Sequence, residues 1–487
     1  MMMNTNQPLG QFENQASIGE VQITGACSYN ADLQSYAITG AGAGCSGERE
    51  AFHFVYRRMR GDFILTMQGE FTSQGASEQR ALGWMARNSL DAGSAFASAA
   101  LRGDGMVTLK FRRAAGSTTE ELQAPVTHAN VIQLERSGST FILSAARWGE
   151  PFTTVQTSEI DLGDAIFIGL FVCSHEEAAA ETGAFTNVRI VKPAAPGFDR
   201  GKDPFGSRLE ILDVATGHRR VIYSTDDVFE APNWTRDGKA LVYNSQGRLF
   251  RYDLETNTPS PIDTGDVVRN NNDHVLSFDG TMLAISSHTG PEFHSMVYTV
   301  PLEGGQPKQV TPTGPSYLHG WSADDRYLVY TALRGGDYDI YRIPVEGGVE
   351  EQLTTAPGLD DGPEYTPDGS YIYFNSVRSG SMQIWRMRPD GSEQEQLTND
   401  DCNNWFPHIS PDGKQVIMVS YLPGEVEPSD HPAAKRVYLR VMPLDGGGPK
   451  VVAYLYGGQG TINVPSWSPD GMKVAFVSNS VPFGNAA

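Results

Sequence analysis

The 487-residue chain is poor in cysteine and has no long hydrophobic run. Its four cysteines, Cys27, Cys45, Cys173 and Cys402, form no CxxC motif and no pairing with histidine. They are therefore expected to be isolated small hydrophobic residues, not zinc or redox ligands. The longest apolar stretch, residues 165–173, is too short to cross a bilayer as a helix. We expect no membrane span.

A secretory signal is also missing from the sequence as written. Residues 1–19 are polar and contain neither a basic n-region nor an apolar h-region. This pattern predicts a cytoplasmic location, or a periplasmic or secreted one if a signal peptide is missing from this chain.

Positive charge is scarce. Lys and Arg total 37 against 58 Asp and Glu, so the formal net charge is −21. Nucleic acids and anionic membranes are held chiefly by clustered Lys and Arg, so both are excluded as general partners. Neutral or cationic partners fit better, although acidity also serves simply to keep a large β-protein soluble.

Three common catalytic signatures are absent: the GxSxG nucleophile elbow, the HExxH helix and the Walker loop. Function must therefore be sought in the fold and in the side chains that the fold brings together.

The sequence does contain an internal repeat. A short strand, an aspartate turn and an alternating strand recur six times, as NWTRDGKALVYNS, VLSFDGTMLAISS, GWSADDRYLVYTA, EYTPDGSYIYFNS, HISPDGKQVIMVS and SWSPDGMKVAFVS. The turn aspartates are Asp237, Asp279, Asp324, Asp368, Asp412 and Asp470, separated by 42, 45, 44, 44 and 58 residues. This spacing is typical of four-stranded propeller blades.

The last repeat ends after its second strand, and the missing pair is found at the start of the domain. Residues 208–224, RLEILDVATG and HRRVIYS, match the third and fourth strands of a blade. The pattern predicts a six-bladed β-propeller over residues 208–487, closed by its N- and C-terminal strands so that no sheet edge is left exposed. These repeats resemble the TolB-like, or PD40, propellers of the WD40 type, and the resemblance covers residues 205–487.

A second all-β domain is predicted at residues 20–191. It contains about ten β-rich segments and no convincing amphipathic helix, which favours a jelly-roll β-sandwich. The segments GDFILTMQGEF, ALGWMAR, IFIGLFVCSH and FTNVRIV resemble concanavalin-like domains of the DUF1349 type. Such domains either bind sugars or pack against a neighbour, and both readings stay open. Residues 192–207, rich in Pro, Gly and charge, are predicted to form a linker.

Polar residues are concentrated where the inner strands of the propeller begin. We expect these positions, and the loops between second and third strands, to converge on one mouth of the central channel. The long segment 422–435 between two such strands accounts for the 58-residue spacing and is expected to be functional. The candidate ligand-binding residues are Asn233, Asp273, Asp361, Glu364, Asn404, Trp405, His431 and Asn463.

Three histidines, His274, His319 and His408, fall in the same set of positions. Together they would suit a divalent metal such as Mn²⁺, Fe²⁺ or Zn²⁺. The alternative is that each histidine caps a loop by hydrogen bonding. The stretch NNWFPHISPDG and the segment around His319 are also similar to oligogalacturonate lyases, which have TolB-like propellers. That resemblance implies a metal held by histidine and an arginine base, for which Arg334 and Arg378 are the candidates.

Two functions follow. The first is a noncatalytic binding or scaffold protein that recognises a carbohydrate or a protein partner at the channel mouth. The second is a carbohydrate-active enzyme, either a metal-assisted lyase or a glycosidase that uses two carboxyl groups.

Overall fold

The computed structural model describes residues 9–45, 50–73, 75 and 77–483. The chain divides into two compact units: Met1–Pro193 with Val481–Ala487, and Ala194–Ser480. Both units are built from antiparallel β-strands, which confirms the prediction of an all-β protein. No helix in the described part of the chain is long and apolar enough to span a bilayer.

The first unit consists of two seven-stranded sheets in its described residues. Their strand orders are β1-β4-β13-β6-β7-β8-β9 and β12-β11-β10-β5-β14-β3-β2. The strands are β1 (Asn14–Gly19), β2 (Ala26–Asn30), β3 (Ser35–Ala41), β4 (Ala51–Arg60), β5 (Phe63–Phe71), β6 (Ala81–Arg87), β7 (Phe96–Arg102), β8 (Met106–Arg112), β9 (Glu120–Thr127), β10 (Val131–Ser137), β11 (Thr140–Ala146), β12 (Thr153–Thr157), β13 (Ala165–Cys173) and β14 (Ala180–Val191).

One hydrophobic core joins these two sheets. Leu65 and Ile132 from one sheet and Trp84 and Ile168 from the other are fully buried in the same cluster. The alternating apolar residues that predicted the strands are thus the residues that form this core. The four cysteines of the chain are free and buried, as expected of small hydrophobic side chains.

The second unit is the six-bladed propeller that the repeats predict. Five blades are four-stranded sheets. Their strands are β17 (Glu230–Trp234), β18 (Ala240–Ser245), β19 (Arg248–Asp253) and β20 (Thr258–Ile262) in blade 1; β21 (Asn270–Leu276), β22 (Met282–Thr289), β23 (His294–Pro301) and β24 (Lys308–Gln309) in blade 2; β25 (Ser316–Trp321), β26 (Tyr327–Leu333), β27 (Tyr338–Pro344) and β28 (Glu351–Gln352) in blade 3; β29 (Asp360–Tyr365), β30 (Ile372–Ser376), β31 (Gln383–Met387) and β32 (Glu395–Gln396) in blade 4; and β33 (Asn403–Ile409), β34 (Gln415–Tyr421), β35 (Lys435–Pro443) and β36 (Lys450–Gly457) in blade 5.

The sixth blade closes the ring with strands from both ends of the unit. β15 (Gly206–Asp213) pairs along its whole length with β37 (Lys473–Ser480), and β16 (Arg219–Thr225) pairs with β15 on its other side. An isolated bridge between Trp467 and Val474 marks the innermost strand of this blade. The closure predicted from residues 208–224 is therefore present.

Each of the six aspartate turns is held by the same hydrogen bonds. A Ser or Thr hydroxyl two residues before the aspartate donates to its carboxylate at 2.5–2.7 Å. The backbone N–H two residues after it donates to the same oxygen at 2.9–3.2 Å. These bonds satisfy the turn locally and join the first strand of a blade to the second. We call this end of the blades the turn end, and the end where the inner strands begin the channel mouth.

Every inner strand of blades 1 to 5 carries a β-bulge. The register shifts lie between Glu230 and Asn233, Asn270 and His274, Leu318 and Gly320, Asp361 and Glu364, and Trp405 and His408. A bulge adds a residue to one strand and redirects its side chains, so it decides which residues of these strands face the channel.

Candidate functional site at the channel mouth

A cavity of about 480 Å³ lies at the channel mouth. Blades 2 to 5 contribute residues to it, together with the loops after β34 and β36. From the inner strands it is lined by Asn271, Asn272, Asp273, Tyr317, His319, Asp361 and Phe406. From the other strands and the loops it is lined by His288, Thr331, Tyr338, Leu359, Ser429, His431, Gln459 and Asn463.

The best-defined pair in the cavity is His319 with Asp361. His319 Nε2 lies 3.1 Å from Asp361 Oδ1, and the same oxygen accepts hydrogen bonds from Thr331 Oγ1 at 2.7 Å and from the Gly362 backbone at 2.8 Å. Burial alone would raise the pKa of Asp361, but the hydrogen bond and charge of His319 hold it at about 2. Burial lowers the pKa of His319, and the bond to Asp361 reverses this, so its pKa is raised overall. The pair favours an ionised Asp361 facing a protonated imidazole.

Asp273 is the second carboxyl group in the cavity, and its environment is the opposite. It is 4 % exposed and accepts a hydrogen bond from the Asn271 amide at 2.9 Å. Burial raises its pKa to about 7, although the nearby charge of His319 opposes the shift. The two carboxyl groups of one cavity thus differ in protonation near neutral pH.

An aromatic group forms one wall of the cavity. Phe406 stacks on His319 with ring centroids 5.9 Å apart, and it contacts His431 edge-on at 5.4 Å. Phe406 has a φ of +54°, in the left-handed region that non-glycine residues rarely adopt. The equivalent position in the bulge of the next blade back is Gly362, with a φ of +63°. Strained backbone of this kind is concentrated at functional sites.

The long loop between β34 and β35 is anchored over the cavity. His431 packs on Trp405 with ring centroids 4.2 Å apart, and Tyr421 donates its hydroxyl to the Pro432 carbonyl at 2.8 Å. Arg436 forms an ion pair with Glu425 at 2.6 Å. These contacts hold the loop whose residues Ser429 and His431 lie in the lining.

Of the residues singled out from the sequence, five line the cavity: Asp273, His319, Asp361, His431 and Asn463. They come from three inner strands and from the two loops that precede the sixth blade's inner strand and β35. The structure therefore brings together the polar groups of several repeats at one mouth.

Four others, Asn233, His274, Glu364 and His408, do not line it. Each is the first residue to resume regular pairing after a bulge, and each bonds to a neighbouring blade. Asn233 accepts from the Leu276 backbone at 3.1 Å, and His274 donates to the Val242 carbonyl at 3.2 Å. His408 bonds to Glu364 at 2.6 Å and to the Ile462 carbonyl.

The three histidines expected to hold a metal therefore have separate partners. His274 and His319 both lie five residues before a turn aspartate, but the bulge in β21 ends before His274 and the bulge in β25 contains His319. Within the described residues, no group of three or more His, Cys, Asp or Glu is arranged to hold a metal ion.

Asn404 and Trp405 are buried behind the lining. The Asn404 amide donates to Gln383 at 3.1 Å and its oxygen accepts from the Ser420 hydroxyl at 2.8 Å, so it joins blades 4 and 5. Trp405 is fully buried and supports His431. Both residues position the site without facing its cavity.

Arg334 and Arg378, the candidate bases, point away from the cavity. Arg334 pairs with Glu350 at 2.6 Å and donates to the Pro315 carbonyl at 2.9 Å. Arg378 pairs with Asp360 and donates to Ser376 at 2.8 Å. Their partners fix the loops between second and third strands of blades 3 and 4.

Three lining residues, Thr331, Tyr338 and Leu359, were not among the candidates. Thr331 lies within a second strand and Tyr338 begins a third strand, so neither is at an inner-strand start. Ser429 belongs to the long segment 422–435, which was expected to be functional without a particular residue being named.

The comparisons with known proteins concern the propeller. A family model described as the TolB beta propeller domain, PD40, matches residues 319–429. An uncharacterized protein of Agrobacterium fabrum is 45% identical over 273 residues, which cover 56% of this chain and 92% of the relative. The solved structure of a putative TolB from Agrobacterium tumefaciens is 44% identical with a TM-score of 0.54, and the match covers 56% of this chain and 98% of that one.

A structure of oligogalacturonate lyase in complex with manganese is a distant match. It is 15% identical with a TM-score of 0.38, over 57% of this chain and 98% of the lyase. A likeness at this level carries no information about activity. The repeats, the six blades and the 45% identical relative agree on one assignment, and through its propeller this chain belongs to the family of TolB-like β-propellers.

Proposed function

We propose that the protein is a noncatalytic binding or scaffold protein whose propeller recognises a ligand at the channel mouth. The observation that carries the proposal is the cavity of about 480 Å³ formed by blades 2 to 5 and the loop after β36. Its size lies within the range of small-molecule and side-chain binding sites. A carbohydrate or an exposed segment of a protein partner would fit this volume.

The chemistry of the lining supports recognition of a polar ligand. Amide groups of Asn271, Asn272, Gln459 and Asn463 offer donors and acceptors. Tyr317 and Tyr338, with ring centroids 6.1 Å apart, offer aromatic faces. Few precisely placed polar groups beside aromatic rings are typical of sites that orient a sugar or a peptide.

A second candidate function is a carbohydrate-active enzyme, and the difference between Asp273 and Asp361 favours it. A glycosidase needs one carboxyl group that is protonated near neutral pH and one that is ionised. The pKa of Asp273 is about 7 and that of Asp361 about 2, so Asp273 would be the acid and Asp361 the nucleophile or base.

For the first unit we keep the jelly-roll, concanavalin-like assignment as a proposal, with residues 20–191 as its extent and 192–207 as the linker. Its role is either a second binding module or a support for the propeller. A periplasmic location is compatible with a TolB-like protein, and we propose it as the alternative to the cytoplasm.

The binding proposal is tested with a panel of neutral and acidic oligosaccharides and extended peptides, measured by calorimetry. Tyr338→Ala removes an aromatic face of the cavity, and Tyr371→Ala is the matched control because Tyr371 follows an aspartate turn at the other end of blade 4. Loss of binding in the Tyr338 variant alone supports the proposal. Equal behaviour of both variants with every ligand rejects it.

The enzyme alternative has a separate readout. Reducing ends released from each oligosaccharide are counted for the wild type, Asp273→Asn and Asp361→Asn. Turnover that both substitutions abolish would establish the enzyme, whereas binding without release of reducing ends would leave the noncatalytic protein.

A further inference from the structure

The cavity lining holds two carboxyl groups and three histidines. The carboxyl groups are those of Asp273 and Asp361, and among the residues that the structure describes the lining contains no Lys or Arg. His319 is engaged by Asp361 at 3.1 Å. An anionic ligand would therefore find no Lys or Arg partner in the described lining, and the one histidine paired with a carboxylate is already occupied.

Asp273 feels the charge of His319 but forms no direct ion pair within the described residues. Its hydrogen-bond partner is the neutral amide of Asn271. A buried carboxylate in this situation is destabilised until a cation or a donor reaches it. The open side of Asp273 faces the cavity, so a ligand is the available source.

Aromatic rings stand in the same cavity. The ring centroids of Tyr317 and Tyr338 lie 6.1 Å apart with their planes tilted by 55°, and Phe406 stacks on His319. The faces of such rings attract a cation through their quadrupole, in addition to the Coulombic attraction of a carboxylate. Carboxylates flanked by aromatic faces are suited to ammonium and guanidinium groups.

The chain itself provides a guanidinium that pairs with a carboxylate hydrogen-bonded to a lining residue. Arg200 forms an ion pair with Glu230 of blade 1, and Glu230 also accepts a hydrogen bond at 3.5 Å from Asn272, which lines the cavity. The Arg200 side chain is 30 % exposed. An internal cation thus already satisfies the carboxylate next to Asp273.

From the Asp273 carboxyl group, which forms no ion pair within the described residues, the aromatic walls and the Arg200 precedent, we propose that the cavity binds a cationic group, an ammonium or guanidinium carried by its ligand. This inference rests on the proposed binding function and names the ligand chemistry. The carrier that best fits a charged group on a flexible stem is a Lys or Arg side chain of an extended peptide.

The test uses two peptides that differ only in charge. Acetyl-Gly-Arg-Gly-amide is compared with its citrulline counterpart, which keeps the shape of arginine but is neutral, by calorimetry with the full chain at pH 8 and low salt. We expect the arginine peptide to bind at least about ten-fold more tightly, as one desolvated charge pair requires. Asp273→Asn should reduce that ratio to near one.

The matched control is Asp279→Asn, which changes an aspartate of the same blade at the turn end. It should leave the ratio unchanged. Thermal unfolding of both variants establishes that they are folded before binding is compared. Equal binding of the two peptides, binding of neither at millimolar concentration, or an unchanged ratio in Asp273→Asn overturns the inference.

Failure here is distinguishable from failure of the binding function. If a neutral oligosaccharide binds the wild type but not Tyr338→Ala, while the two peptides bind equally, the channel mouth is a binding site and the inference of a cationic ligand is rejected. Absence of any ligand that depends on Tyr338 would reject both.

Discussion

The two ends of the propeller blades follow different rules. At the turn end, six blades repeat the same hydroxyl–carboxylate–amide network with nearly identical distances. At the channel mouth, the inner strands of blades 2 to 5 present different residues, among them Asp273, His319, Asp361 and Phe406. The turn end therefore serves the architecture that all blades share, whereas the side chains at the mouth differ from blade to blade.

The pKa values of the aspartates at the two ends show the same contrast. At the turn end, hydrogen bonds from the neighbouring hydroxyl and backbone lower the pKa of each exposed carboxyl group, with Asp324 at about 2. At the mouth, burial raises the pKa of Asp273 to about 7. An aspartate that costs stability is retained where a ligand is expected, which is the pattern of a functional site.

The largest effect is expected at the mouth, from Asp361→Ala. The substitution removes the acceptor of His319, Thr331 and Gly362 and leaves three buried donors without it. Breaking a buried ion pair by deleting one partner costs about 3 kcal/mol or more. Denaturant unfolding should show this loss, and ligand binding should disappear with it.

Asp361→Asn is the control for that substitution. It keeps an oxygen for Thr331 and Gly362 but removes the charge that faces His319. We expect Asp361→Asn to lose about half as much unfolding free energy as Asp361→Ala. A loss in the alanine variant no greater than that of an exposed residue would contradict the role of Asp361 as the organising acceptor of the cavity.

The second effect is expected from Asp273→Asn. Unlike Asp361→Ala, this substitution should raise the free energy of unfolding, and the gain should depend on pH. The pKa of Asp273 is about 7 in the fold and near 3.8 in the unfolded chain, so the folded state binds the extra proton between these values. Stability conferred by the protonated carboxyl is complete below about 3.8 and is lost as the pH rises through 7. The asparagine variant does not undergo this loss.

Relative to the wild type, Asp273→Asn should therefore gain stability from pH 4 to pH 8, on the order of 4 kcal/mol for the full shift. The groups that act on Asp273 are His319, Asp361 and Glu230, and none of them is altered. The measurement is urea unfolding at both pH values. A difference between variant and wild type that does not change with pH would show that Asp273 titrates normally.

The architecture could be predicted from the sequence because every blade repeats the same motif of strand, aspartate turn and strand. Each turn needs its own Ser or Thr and its own Asp, and the incomplete last repeat revealed the closure that β15 and β37 make. The mouth could be predicted only by position. The inner-strand starts led to Asp273, His319 and Asp361, which line the cavity, since the strands of all blades begin at the same end.

The remaining site residues depended on the bulges, which the sequence does not mark. The position of a residue relative to the bulge decides which way its side chain faces. His319 lies within a bulge and faces the cavity, whereas His274 and His408 lie directly after a bulge and bond to a neighbouring blade. The positions of the two candidate arginines depend on local partners as well. Arg334 and Arg378 directly follow second strands, whereas His288 lies within β22; carboxylates bind both arginines, and neither arginine lines the cavity.

A third, smaller effect is expected at the turn end, from Asp368→Ala. The carboxylate accepts from Thr366 at 2.6 Å and from the Ser370 backbone and hydroxyl at 3.0 and 2.7 Å. Its loss should cost about 1 to 2 kcal/mol, without change in ligand affinity. Because the pKa of Asp368 is lowered from 3.8 in the fold, its contribution is present above pH 4 and is lost as the pH falls below that value.

Unfolding at pH 7 and at pH 3 therefore tests two features of Asp368→Ala. The difference in unfolding free energy between the wild type and Asp368→Ala should be smaller at pH 3 than at pH 7. The affinity for the ligand at the channel mouth should be equal in both proteins. A change in ligand affinity in Asp368→Ala would show that the turn end also affects binding at the channel mouth.

The smallest effect is expected from Thr366→Ser in the same turn. Four of the six turns already use serine at this position, Ser277, Ser322, Ser410 and Ser468, so the hydroxyl is the part that the turn requires. The substitution removes one methyl group from a buried site and should cost no more than about 0.8 kcal/mol.

Thr366→Val is the informative counterpart, because it keeps the volume and removes the hydroxyl. That hydroxyl donates to Asp368 at 2.6 Å and accepts from the Tyr371 backbone at 3.1 Å, so valine leaves both groups without their partner. Valine should therefore destabilise the propeller more than serine does, although it is closer to threonine in shape. The reverse order in urea unfolding would mean that packing, not the hydroxyl network, holds the turn end together.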